Sequence, residues 1–249
     1  MKKIIFLLVN ACGWCMCLYA QRSTENQSVL NILTQVHTAY SQQQNLSFDM
    51  FFVYTSADSS NIILDSLSGQ MQLSNNRYHW NIGTTEMIAD SQYAVILFKD
   101  DKMMYLTKPS QNSMPINPIE KLDSSLLAIP GLQTITRSEK ELTTVELNFP
   151  KENAYKKIIF TLERKTYLLK DIDMVVKTEL LQNGNTFKAE QLKTDSSYAH
   201  VKVKYFNYST ESIDDSVFNM DSYFKKINRD FSPVPAYADY KIFIGSPNL

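Results

Sequence analysis

Glycine is scarce, with 6 residues in a chain of 249, and proline contributes only 8. Phosphate-cradling loops need glycines so that backbone N–H groups can approach a ligand with no Cβ in the way; neither Gly-x-x-x-x-Gly-Lys nor Gly-x-Gly-x-x-Gly occurs. Nucleotide-binding classes built on such loops are therefore excluded. An excess of one charge is also missing. The 25 basic side chains face 26 acidic ones, a formal net charge of -1, and no broad basic field exists to hold nucleic acid. Gly-x-Ser-x-Gly and His-Glu-x-x-His are absent too. His37, His79 and His200 are scattered without metal-ligand spacing, and His79 and His200 alternate with apolar neighbours as solvent-facing strand residues would. Ser222-Tyr223-Phe224-Lys225 has the Ser-x-x-Lys form without its companion motifs, so it is read as a chance match. Asp100-Asp101 and Asp214-Asp215 fall in turns, where Asp bonds its own backbone. No catalytic residue, metal site or cofactor is assigned, and no enzyme is expected.

The three cysteines, Cys12, Cys15 and Cys17, all lie within the first twenty residues. Lys2-Lys3, the apolar run Ile4 to Val9, and Leu18-Tyr19-Ala20 follow one another in the order of a secretory signal peptide, read here as residues 1–20 with cleavage after Ala20. Asn10, Gly13 and the polar sequence from Gln21 keep the run short of the roughly 20 apolar residues that span a bilayer. Val9-Asn10-Ala11-Cys12 has the outline of a lipobox, but the apolar run before it is very short and Asn10 is polar, so lipid anchoring at Cys12 is the less favoured reading. Cleavage removes every cysteine and two lysines. The exported chain, mildly acidic, must hold together by its core alone, which about 230 residues can do by burying roughly 70 to 75% of the unfolded surface.

Thr24-Glu25-Asn26-Gln27 has the capping-box form and opens a helix whose apolar stripe is Val29, Ile32, Leu33, Val36 and Tyr40. From Leu46 the period becomes two. Phe48, Met50, Phe52 and Tyr54 share a face, and after the polar turn 57–61 the return segment places Leu67, Gly69, Met71 and Leu73 together. Tyr78, Trp80 and Ile82 share the face of the next strand. Segments 85–89, 93–99 and 103–107, separated by short polar turns, complete an antiparallel meander. Pro109, Pro115 and Pro118 end it, and Asn117-Pro118-Ile119-Glu120 opens a second helix with Ile119, Leu122, Leu126 and Ile129 on one side and Pro130-Gly131 at its end. Strands are expected at 134–137, 142–149, 156–164, 167–177, 187–192 and 200–208, with a hairpin at Asn183-Gly184. The segment 225–249, in which Phe231, Tyr237, Tyr240 and Phe243 stand among prolines, is set apart as a tail. The body, 21–224, reads as one α+β domain.

Phe and Tyr number 13 and 14, and Met 10. Methionine and aromatics on one strand face suit either a filled core or a cavity for acyl chains. The helix and long strand, followed by Ser68-Gly69-Gln70-Met71-Gln72-Leu73, Arg77-Tyr78-His79-Trp80 and Ala89-Asp90-Ser91-Gln92-Tyr93-Ala94-Val95, resemble the LolA/LolB superfamily of periplasmic lipoprotein carriers over about 26–108, and Asp215-Ser216-Val217-Phe218 resembles the family's closing strand. Ser74-Asn75 stands where the family has Arg-Pro, and Ser91 replaces the glycine of its Asp-Gly turn. The resemblance implies an open antiparallel half-barrel closed on its concave face by helices. It further implies a monomeric periplasmic chaperone that carries lipoprotein or lipid acyl chains to the outer membrane. Phe48, Met50, Phe52, Met71, Tyr78, Trp80 and Ile82 would line the cavity, and Ile119, Leu122 and Leu126 would form the lid. Protein partners would be an inner-membrane release complex or an outer-membrane acceptor. The alternative is a protein-interaction or lipoprotein-sensing module on the same fold, using the aromatic stretch 231–243.

Overall fold

The computed structural model describes residues 27–57, 62–109, 119, 127–183, 197–228, 230–246 and 249. Residues 1–20, the cap residues Thr24 to Asn26, the lid residues Leu122 and Leu126, and the strand expected at 187–192 lie outside them. A helix, α1, runs over 27–41 and buries Val29, Val36 and Tyr40, the stripe expected from its spacing. Six strands follow as a meander: β1 (Asn45–Ser56), β2 (Ile63–Ser74), β3 (Arg77–Ile82), β4 (Thr85–Ala89), β5 (Ala94–Phe98) and β6 (Met103–Thr107). Five more form a second meander: β7 (Gln133–Glu139), β8 (Leu142–Asn148), β9 (Tyr155–Glu163), β10 (Leu169–Lys177) and β11 (Tyr198–Ser209). The two meanders join where β1 pairs antiparallel with β11.

The last three strands come from the segment set apart in the sequence as a tail and its approach: the hairpin β12 (Phe224–Ile227) and β13 (Asp230–Pro233), then β14 (Lys241–Ile244), which pairs parallel with β6. With β14 at its edge the main sheet is open and, among the described residues, has 12 strands, in the order β14-β6-β5-β4-β3-β2-β1-β11-β10-β9-β8-β7. Between β10 and β11 the chain forms a short helix, α2 (Thr178–Asn183), and the hairpin expected at Asn183-Gly184 lies outside the described residues from Gly184 on. Glu179 in its first turn favours the helix dipole. Asp215–Phe218 is a 3₁₀ turn and not a closing strand, because Asp214 accepts the Ser216 N–H and caps it. At the β2–β3 turn Asn75 and Asn76 both have positive φ, 47° and 66°, as a type I′ hairpin requires.

Both faces of this sheet are apolar, in different sectors. On the first face, Phe48 and Met50 of β1, Val145 and Leu147 of β8, Ile158 and Phe160 of β9, and Val201 and Val203 of β11 form the main core with α1. Ile119 and Leu127 are buried in the same cluster. Tyr40 of α1 meets the Phe48 ring edge-on at 6.1 Å, and its hydroxyl lies 2.7 Å from that of Tyr208. Tyr208 in turn donates to the Leu169 carbonyl, and the Leu169 N–H donates to Tyr40, so no hydroxyl of the pair is buried without a partner. On the second face, Ile88, Val95, Leu97, Met104 and Leu106 form another core with Met220, Tyr223, Phe224 and Tyr240.

Gly69 sits on the first face opposite Met50 and Ile82. A Cβ there would lie 2.9 Å from the Asn81 carbonyl oxygen and 2.9 Å from Ile82 Cγ1. Gly69→Ala should therefore destabilise the sheet by about 1 to 3 kcal/mol, the usual cost of overpacking. Urea denaturation checks it; an unchanged midpoint contradicts the packing.

Candidate functional site

Directly opposed residues in a sheet project from the same face, so the register groups the expected cavity residues. Phe48 faces Met71, Met71 faces Trp80, Trp80 faces Met87, Met87 faces Ile96 and Ile96 faces Tyr105. Phe243 of β14 stands beside Tyr105 in the parallel pairing, and their rings stack at 6.2 Å. One row of side chains thus crosses seven strands on the first face. A parallel row holds Gly69, Ile82, Thr85, Phe98, Met103 and Lys241; the other neighbouring row holds Leu73, Tyr78, Ala89, Ala94 and Thr107. All seven expected cavity residues lie on this face.

Their burial divides them. Phe48, Met50, Met71 and Tyr78 are buried, while Phe52, Trp80 and Ile82 are half-buried at the margin of the core. Phe48 is enclosed by the rings of Tyr40, Tyr205 and Tyr208. Burial pushes the Tyr78 phenol up to about 12, so it stays protonated; its hydroxyl contacts the Met87 sulfur at 3.8 Å. Beyond Trp80 the row opens: Met87 and Ile96 are half-buried, and Tyr105 and Phe243 are each 42% exposed. The sequence reading missed Met87, Ile96, Phe98, Met103 and Tyr105 as members of this face. Register with Trp80 places them there, since the apolar runs 94–98 and 103–106 carry no alternation to mark a face.

The second face carries a strongly perturbed ionic group. Glu86 of β4, its side chain 12% exposed, lies 3.0 Å from His79 Nε2 and 2.7 Å from Lys99 Nζ, and accepts from the Tyr223 hydroxyl at 3.1 Å. Burial alone would raise its pKa, but hydrogen bonds from His79 and Lys99 outweigh that and bring it to about 2. His79 Nδ1 lies 3.1 Å from Gln72 Oε1. The expected solvent-facing His79 is therefore corrected: it is half-buried, because the C-terminal segment carrying Tyr223 covers this face. His200 is also partnered, with its Nε2 on Asp173. The same cover uses the aromatic stretch expected to be available to a partner: Tyr240 is buried, and Phe231 and Tyr237 pack against the second core. Arg77 lies 4.6 Å from the Phe218 ring centre and 2.5 Å from Asp215, fastening the 3₁₀ turn to β3. Among the described residues no cluster of three His, Cys, Asp or Glu could hold a metal, and no helix is long and apolar enough to cross a membrane.

An open sheet, antiparallel but for its β14 edge, with α1 packed on an apolar face is the class of structure these features define. No family model and no curated protein matches the sequence. Among solved structures the chain is similar to a LolA superfamily protein from Nitrosomonas europaea, at 9% identity over 76% of this chain and 97% of that one, with a TM-score of 0.33. It is also similar to the lipoprotein LppX of Mycobacterium tuberculosis, at 12% identity over 76% and 98%, TM-score 0.35. An uncharacterized conserved protein of Thermus thermophilus aligns over 87% of this chain and 99% of its own, at 5% identity and a TM-score of 0.46.

Proposed function

We propose that the protein is a periplasmic carrier that shelters acyl chains of lipoproteins or lipids on the first face of the sheet, for transport to the outer membrane. The observation that carries this reading is the row from Phe48 to Phe243, apolar throughout, packed at the α1 end and open from Trp80 onward. A monomer exposing a continuous apolar strip at its surface has a partner for it, and an acyl chain has no need of hydrogen-bond donors. Each methylene taken from water contributes about 0.8 kcal/mol, so a long chain is held firmly without any covalent step. α1 and Ile119 close the buried end of the face in this account, and Trp80 stands at the boundary between packed and open sectors. Delivery would pass through an inner-membrane release complex or an outer-membrane acceptor.

Trp80→Ala tests the assignment. A fluorescent acyl probe should bind roughly tenfold more weakly, equivalent to about 1.4 kcal/mol. The thermal midpoint should fall by only a few degrees, as expected where about 1 kcal/mol of stability is lost from a chain of this size. Equal loss of binding and stability, or unchanged binding, contradicts it.

A further inference from the structure

The open sector of the first face has a polarity of its own, and its sense follows from the register. Among the residues of the three rows from Leu73, Met71 and Gly69 to Thr107, Phe243 and Lys241, Lys241 alone is charged. It stands beside Met103, at the end of the row next to that of Tyr105 and Phe243, and is exposed. The acid nearest to it in sequence, Asp239, is engaged by Lys102 at 3.6 Å. No carboxylate pairs with Lys241 among the described residues. The other end of the face has no room for a guest, since Phe48 is enclosed by three tyrosines and Met71 and Tyr78 are buried. From Trp80 of β3 to Phe243 of β14 the row crosses four strand spacings, about 19 Å, the scale of a long acyl chain.

Resting on the carrier reading, we infer that the seat lies in the β3–β6–β14 sector and that its preferred occupant is a single acyl chain with an anionic head. The chain lies along Trp80, Met87, Ile96 and Tyr105, and the head meets the Lys241 ammonium at the sheet edge. The C-terminal strand is thus part of the site, supplying both Phe243 and Lys241. Gly245 allows the close fit there, because a Cβ at that position would lie 2.5 Å from Tyr105 Cε1. A cation at the end of an apolar strip discriminates by charge: it attracts a carboxylate or phosphate head and gains nothing from an ester.

The full chain is titrated with palmitate and with methyl palmitate by displacement of a fluorescent acyl probe, as wild type and as Lys241→Gln, with Lys241→Arg as the charge-retaining control. Lys241→Gln should weaken palmitate about tenfold and leave the ester unchanged, with an unaltered thermal midpoint, and Lys241→Arg should restore palmitate binding. Equal effects on both ligands, or none on palmitate, overturn the head contact. Diazirine-labelled palmitate should crosslink to peptides of β5, β6 and β14. Labelling confined to β1 and β2 overturns the seat while leaving the carrier reading standing. A wild-type chain that binds neither palmitate, its ester nor the probe overturns the carrier reading itself.

Discussion

Truncation of residues 225–249 is expected to unfold the protein and not merely to trim it. The deletion removes β14, leaving β6 as an unpaired edge, and strips Phe231, Tyr237 and Tyr240 from the second core. Ile88, Val95, Leu97, Met104 and Leu106, all essentially inaccessible in the intact chain, lose much of their cover. Each fully buried aliphatic side chain is worth about 1.5 to 3 kcal/mol, and the set together rivals the roughly 5 to 15 kcal/mol that holds a typical domain. The exposed β6 edge, with Met104 and Leu106 beside it, also favours aggregation. Circular dichroism melts and size-exclusion chromatography of the truncated chain should show loss of the cooperative transition and recovery largely as aggregate. A soluble, cooperatively melting truncation that still binds an acyl probe would contradict the two-faced core.

Glu86→Ala is the second large effect. Removing the carboxylate leaves His79 half-buried and the Tyr223 hydroxyl without its acceptor, and unties the C-terminal segment from β4. Breaking such a buried pair from one side costs roughly 3 kcal/mol. The effect depends on pH in a definite sense. Folding lowers the Glu86 pKa from 4.5 to about 2, so its stabilisation is complete above about pH 4.5 and is lost as pH falls toward 2. With allowance for incomplete burial the span of that change is roughly 2 kcal/mol. Chemical denaturation should show wild type well above Glu86→Ala at neutral pH, with the gap narrowing between about pH 4.5 and pH 2. A gap that is constant with pH assigns the loss to packing alone.

Much of the first meander was legible because one physical rule governs it. With one strand face packed and the other solvated, as in β1 and β2, alternation in the sequence reports the fold directly, and Phe48, Met50, Met71 and Gly69 fall where their spacing puts them. From β4 onward the rule changes. Ala94-Val95-Ile96-Leu97-Phe98 is a continuous apolar run in which alternation no longer separates the two faces, and the C-terminal segment covers Val95 and Leu97 on the second. That cover was not legible. β14 has four residues, follows a proline-punctuated stretch, and pairs in parallel with a strand far back in the sequence, so no local pattern marks it. His79 was misread for the same reason, its face being solvated by period and enclosed by tertiary contact. The candidate site divides likewise. Its packed end, from Phe48 to Trp80, was read from alternation, and its open end, from Met87 to Phe243, emerged only when register linked seven strands.

The most direct test of the carrier account is native mass spectrometry of the full-length protein purified from its own envelope without detergent exchange. The account predicts additional masses of one or more acyl-chain lipids or a lipidated peptide, released on organic extraction and diminished in Trp80→Ala. Protein recovered at its bare mass, which also fails to bind an acyl probe in solution, would contradict it.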